Sequence, residues 1–168
     1  LGVSNPKVVF VRPPNLQKSA EWEKQGVIRP PLNIAMLASY IRGDGDYDCR
    51  IVDFETCPGN TAQEMAVRIL QEEPKYVCFT TLTPRFPIVV KTCQELMKRK
   101  PDLVTIGGGP HVSGNPQAAI FDGISYCIAG EGEEALLELL DSLEQGCDTN
   151  NIKNLVYRDS DGQVVCNP

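Results

Sequence analysis

The chain has 168 residues, 42% of them apolar and 23% charged, which suits one domain with its own core and argues against a wholly disordered segment. Sixteen basic against 22 acidic residues give a net charge of −6, so a main role in gripping nucleic-acid backbones or anionic lipid is disfavoured. No apolar run reaches the roughly 18–20 residues of a membrane span, and the first residues lack the pattern of a signal peptide.

The elements alternate between strand and helix. Residues 7–12 (KVVFVR) form a short apolar run rich in β-branched side chains, the pattern of a buried strand. Residues 33–42 carry Ile34, Leu37, Ala38 and Ile41 at helical spacing, and Gly43-Asp44-Gly45 ends that helix. Residues 49–54 (CRIVDF) read as the second strand. Thr61 and Glu64 form a capping box, followed by a helical face of Ala62, Met65, Ala66 and Ile69. Residues 75–80 (KYVCFT) are the third strand, and residues 87–99 a helix with its basic residues near the C-terminus, where they suit the dipole.

Residues 103–106 are the fourth strand, running into three glycines. A helical turn is expected over residues 116–121, and a fifth strand over 125–129 (SYCIA). The last helix, residues 133–144, turns Leu136, Leu139, Leu140 and Leu143 inward and ends at Gly146. Residues 152–158 and 163–166 read as a β-hairpin turning at Asp161-Gly162. Five βα units imply an α/β, flavodoxin-like (Rossmann-like) fold. The expected sheet has five parallel strands in the order 2-1-3-4-5, helices on both faces and a C-terminal β-hairpin. Residues 1–147 are expected as the main domain, with 148–168 leading toward a further part of a longer protein.

In such sheets ligands bind beyond the carboxyl ends of the strands. The segment between the first strand and the first helix holds about twenty residues, against the usual two to six, and includes Pro13, Pro14 and the single tryptophan, Trp22. It reads as a lid or as an insertion without function. Thr80, Thr81 and Thr83 follow the third strand, suited either to a polar ligand or to helix capping. Gly107, Gly108 and Gly109 follow the fourth, allowing positive φ and close approach, with Pro110 and the single histidine, His111, behind them. This run is no dinucleotide fingerprint, because Val112 stands where a glycine is needed, and it lacks the Lys-Ser/Thr of a P-loop. Gly130, Glu131, Gly132 and Glu133 follow the fifth strand; their carboxylates suit the helix N-terminus and would repel a phosphate there.

Seven cysteines lie at 49, 57, 78, 93, 127, 147 and 166, with no two closer than eight positions. No CxxC or CxxxCxxC exists, so no metal or iron–sulfur site is expected from this chain alone, and the usage fits a reducing cytoplasm. Cys78 and Cys127 fall in apolar strands and are expected to be buried.

These segments together resemble the cobalamin-binding domain that precedes the radical S-adenosylmethionine domain in cobalamin-dependent radical enzymes. That family contains methyltransferases and a branch of anaerobic magnesium-protoporphyrin monomethyl ester cyclase. The matching stretches are VRPP, PPLNIAMLASYI, TTLTP, GGGPHVSGNP and GEGEEALLEL, in order along the chain, and NLVYRDSDGQVV looks like the hairpin leading out of that domain. The resemblance implies cobalamin bound base-off, its nucleotide tail in the crevice between sheet and helices and its corrin ring across the carboxyl edge. The implied cofactor-binding set is Pro13, Pro14, Leu32, Thr80, Thr81, Leu82, Thr83, Gly107, Gly108, Gly109, Pro110, His111, Gly130, Glu131, Gly132 and Glu133, with no catalytic residue and no metal ligand.

Two departures qualify the resemblance. The D-x-H-x-x-G loop, whose histidine binds cobalt in methionine synthase and the mutases, has no counterpart, so no protein histidine is expected on the metal. The three-cysteine motif is absent, so the iron–sulfur cluster and S-adenosylmethionine are expected only in a radical domain of the same chain. The rival reading on the same fold is a docking scaffold that has lost its cofactor. A signalling receiver lacks its acidic pair here, and flavin binding is a weaker alternative.

Overall fold

The computed structural model describes residues 5–15, 30–57, 61–121 and 123–168; Trp22 and most of the long segment before the first helix lie outside the described residues. Strand β1 (Lys7–Arg12) lies inside the sheet, with every residue after Lys7 buried, as an apolar run that meets helices on both faces requires. It is followed by α1 (Leu32–Asp44), β2 (Asp48–Asp53), α2 (Ala62–Leu70) and β3 (Tyr76–Thr80). A 3₁₀ turn (Thr83–Arg85) leads into α3 (Phe86–Arg99), β4 (Val104–Gly108) and two short helices, α4 (Pro110–Gly114) and α5 (Pro116–Ala119). The chain closes with β5 (Tyr126–Ile128), α6 (Glu133–Gln145), β6 (Leu155–Arg158) and β7 (Val164–Cys166). No helix among the described residues is long and apolar enough to cross a membrane.

The strands form one sheet in the order β2-β1-β3-β4-β5-β6-β7. The first five are parallel, β6 runs antiparallel on β5, and β7 antiparallel on β6. This corrects the five-stranded expectation: the hairpin is part of the sheet and not an appendage. Without it, β5 would present an unpaired edge; instead Ile128 lies beside Leu155 and Cys127 beside Val156, both hairpin residues buried.

Two layers cover the sheet. On one face Ile34, Ala38 and Ile41 of α1 and Leu136, Leu139 and Leu140 of α6 pack on Val8, Phe10, Cys78, Ile106 and Ile128. On the other, Met65 and Ile69 of α2 and Val89, Cys93 and Leu96 of α3 pack on Val9, Val11, Val77 and Phe79. Beyond α3 that second face continues under α4 and α5, where Val112, Ala119 and Ile124 meet Cys127 and Val156.

Local signals form as read. The Thr61–Glu64 capping box is complete, and Gly146 ends α6 in the left-handed conformation. Cys78 and Cys127 are buried. Elsewhere the boundaries move. β4 does not stop at Ile106 but keeps its ladder through Gly108, beside Phe79, Thr80, Cys127 and Ile128. In place of one turn at residues 116–121 there are two short helices, with His111 inside the first.

Candidate functional site

The parallel register creates a cavity at the carboxyl edge. Across the α1/α6 face, Phe10, Cys78 and Ile106 lie side by side, forming a continuous apolar row. Two residues further along, the row reads Thr80, Gly108 and Ile128. Side chains alternate between faces, so Gly108 occupies the place where a side chain would fill the space above Ile106. A Cβ at Gly108 would meet nothing nearer than the Ile128 carbonyl at 3.7 Å. The result is a cavity of about 290 Å³ between the strand ends and the first turns of α1 and α6.

The cavity's interior is apolar: Phe10, Ile34, Cys78, Ile106, Ile128 and Leu136 are all buried. Burial pushes the Cys78 thiol above its ordinary value, with Cys49 a lesser contributor, so it stays protonated. Polar side chains stand at the mouth: Asn33, Thr80, Glu131 and Glu133. Asn33 Nδ2 donates to Thr80 Oγ1 at 2.9 Å, and the Glu133 carboxylate accepts the Gly132 N–H at 3.1 Å. The α6 N-terminus, an anion-seeking end, is therefore engaged by the chain's own carboxylate. No lysine, arginine or histidine lines the cavity among the described residues.

Of the expected residues, Thr80, Gly107, Gly108, Gly109, Gly130, Glu131, Gly132 and Glu133 line this cavity. The three glycines differ in role. Gly107 points its missing side chain at the opposite face, where a Cβ would come 2.7 Å from Ile124 Cδ1. Only Gly109 has positive φ, +103°, and a Cβ there would crowd the Thr81 backbone at 3.1–3.2 Å.

The remaining expected residues lie outside the cavity. Leu32 is two-thirds exposed on the first turn of α1, and Leu82 is exposed before the 3₁₀ turn. Thr81 is buried, and its hydroxyl and N–H both donate to the Gly108 carbonyl at 2.7 Å. It serves neither as a cap nor as cavity wall: it ties β3 to β4. Thr83 Oγ1 lies 3.2 Å from His111 Nδ1, and the His111 ring stacks 3.8 Å from Phe86, on the α3 side. Pro110 is exposed at the start of α4.

Pro13 and Pro14 are buried, and a charged cluster not expected from the sequence reaches the Pro13 carbonyl. Arg12 and Asp53, register partners at the ends of β1 and β2, form a two-point ion pair. Glu55 pairs with Arg85, whose other guanidinium nitrogen donates to the Pro13 carbonyl at 3.0 Å. On the other side of the edge, Ser113 Oγ accepts the Gly130 N–H at 2.8 Å and donates to the Gly109 carbonyl at 3.2 Å. The register of KVVFVR against CRIVDF is the signal that pairs Arg12 with Asp53; Ser113 carries none, since α4 is too short to have a pattern.

The B12 binding domain family matches residues 24–140. Over 96% of its length the chain is 31% identical to the anaerobic magnesium-protoporphyrin IX monomethyl ester cyclase of Rubrivivax gelatinosus and 29% identical to an uncharacterized methyltransferase of Pyrococcus horikoshii. It spans 29% and 34% of those proteins. Among solved structures it superposes on the radical S-adenosylmethionine methyltransferase TsrM of Kitasatospora setae, with cobalamin and a [4Fe-4S] cluster bound, at a TM-score of 0.77 and 22% identity. That match covers 98% of this chain and 29% of TsrM. The cobalamin-dependent radical enzyme OxsB, with aqua-cobalamin and S-adenosylmethionine bound, gives 0.77 at 18% identity, covering 97% of this chain and 22% of OxsB. At these identities the likeness to TsrM and OxsB is one of fold. With the family matched over most of its length and a cavity open at the strand ends, this chain belongs to the B12-binding domain family.

Proposed function

We propose that the chain binds cobalamin base-off, with the nucleotide tail in the cavity under α1 and α6 and the corrin ring over the carboxyl edge. The observation that carries this is Gly108, which leaves an open apolar slot where any other residue would place a side chain. The slot fits the group on three counts. Phe10, Cys78, Ile106, Ile128 and Leu136 would hold an aromatic base, Asn33 and Thr80 would meet polar atoms at the mouth, and exposed Leu32, Met36 and Leu82 would offer apolar contact to a macrocycle. Bound cobalamin supplies a cobalt centre for methyl transfer or electron exchange; this chain's residues bind, orient and shield it. Carboxylates at the mouth and the absence of a cation among the described lining residues argue against a nucleoside di- or triphosphate there.

In this reading the iron–sulfur cluster and S-adenosylmethionine belong to a radical domain of the same longer protein, reached through residues 148–168. The longer protein then carries out methyl transfer or a related radical reaction. The relatives' greater lengths and their methyltransferase and cyclase names support it. Seven free thiols support a reducing, cytoplasmic setting.

The test is an absorbance titration of the chain with hydroxocobalamin, followed by electron paramagnetic resonance of the reduced cob(II)alamin complex. Saturable binding is expected, with a spectrum free of nitrogen splitting from an axial base. Absence of binding would reject the reading. Nitrogen splitting that vanishes in His111→Ala would reject the part concerning the cobalt's lower face.

A further inference from the structure

Resting on the cobalamin reading, we infer that the cavity selects among cobamides by the polarity of the lower base, taking a benzimidazole in preference to a purine. The argument is an inventory of hydrogen-bonding groups. Six buried side chains make the inner wall: Phe10, Ile34, Cys78, Ile106, Ile128 and Leu136. None carries an amide, a hydroxyl or a charge, and the Cys78 thiol is a weak donor.

The backbone offers little more. β1, β3 and β4 are interior strands, so the ladders on both sides use the peptide groups of Phe10, Cys78 and Ile106. Among the described residues no buried side-chain nitrogen or oxygen lacks a partner, so no polar side chain waits inside for a ligand. The polar lining side chains all stand at the mouth, and two of them, Asn33 and Thr80, already bond each other.

A base that reaches this wall meets carbon and sulfur from its side chains and one backbone acceptor, the Ile128 carbonyl, at the Gly108 slot. The ring nitrogen left free by the glycosidic bond is common to benzimidazole and purine and cancels in the comparison. Dimethylbenzimidazole otherwise presents carbon. Adenine adds an exocyclic amine, a donor for which the Ile128 carbonyl is the one acceptor at the slot, and two further ring nitrogens, which give up water and find no donor stronger than the Cys78 thiol. Leaving such groups unpaired weakens binding by about 10–100-fold. An apolar pocket discriminates no more strongly than this, because it rejects polarity only through lost solvation.

The experiment compares three probes on the chain by absorbance or fluorescence titration: hydroxocobalamin, the corresponding adenine-based cobamide, and cobinamide, which has no nucleotide tail. The expected order is cobalamin tightest, with the adenine form about 10–100-fold weaker. In Cys78→Ser, which places a hydroxyl on the inner wall at nearly constant volume, the gap between the two complete cobamides narrows. Equal affinity for both, each tighter than cobinamide, would overturn the selectivity and leave the cobalamin reading standing. Equal affinity for all three would also overturn it, by showing that the tail does not use the cavity. No binding of any probe would remove the cobalamin reading itself, and the selectivity with it.

Discussion

The Asn33 side-chain amide donates to the Thr80 hydroxyl at 2.9 Å, joining the first turn of α1 to the end of β3 across the cavity mouth. The pair is solvent-accessible, so the folded state gains little from it, whereas an entering ligand meets both partners. Asn33→Ala is expected to weaken cobalamin binding by about 2–10-fold while leaving the urea midpoint nearly unchanged, as befits one accessible neutral hydrogen bond. Binding titration and urea unfolding of the same variant check this. Unchanged affinity would place the ligand away from this mouth.

Neighbouring glycines in β4 are expected to respond in opposite ways. Gly107→Ala drives a Cβ to 2.7 Å from Ile124 Cδ1 and 3.3 Å from Cys127 Sγ, so it destabilises the fold by about 1–3 kcal/mol. Gly108→Ala meets open space and leaves stability near that of the parent. Gly108→Leu fills the slot: the chain folds, and cobalamin binding falls at least tenfold. Thermal unfolding and titration of the three variants separate the roles. A Gly108→Leu chain that folds and binds as tightly as the parent would move the site elsewhere.

The Arg12–Asp53 pair is expected to matter most to stability. Both side chains are about nine-tenths buried, and the two-point contact sits where β1 and β2 end together. Arg12→Met takes the cation from the Asp53 carboxylate, which still accepts the Glu55 N–H, and costs about 3–5 kcal/mol, whereas Arg12→Met combined with Asp53→Leu recovers much of that loss. Urea unfolding of the single and double variants measures the coupling. Equal loss in both would mean that the strand ends need the charges themselves.

Stability is expected to fall in alkali because of two tyrosines under α6. Burial, and then a hydrogen bond to a carboxylate, raises the Tyr47 and Tyr76 hydroxyls well above the ordinary tyrosine range; the partners are Asp141 at 2.8 Å and Glu144 at 2.7 Å. Below about pH 10 both are protonated in the folded and the unfolded chain, and their contribution is present in full. Above about pH 10 the unfolded chain releases these protons while the folded chain keeps them, so stability drops as pH rises. Urea midpoints between about pH 8 and pH 11 should decline, and less steeply in Tyr47→Phe/Tyr76→Phe. A double variant with the parent's slope would assign the decline to other groups.

The alternation of strands and helices was legible because each pattern is local. KVVFVR holds four consecutive apolar residues between Lys7 and Arg12, Ile34, Ala38 and Ile41 share a helical face, and Thr61 and Glu64 cap their helix three residues apart. The edge of the candidate site followed from that alternation, because parallel strands put every βα loop on one edge, and eight of the residues singled out there line the cavity. What each residue does depended on neighbours distant in the chain. Gly107 and Gly108 are equivalent in sequence, yet the pleat turns one toward Ile124 and the other toward an open slot. Thr80 and Thr81 are likewise adjacent, yet Thr80 lines the mouth while Thr81 bonds the Gly108 carbonyl 27 residues away. The hairpin read correctly as a hairpin, but its place as the sixth and seventh strands required the open edge of β5, which exists only once the sheet has formed. Local pattern determined the elements and the edge on which a ligand site would lie; side-chain direction and cross-strand register, which only tertiary packing sets, decided which residues form the cavity and which hold its walls in place.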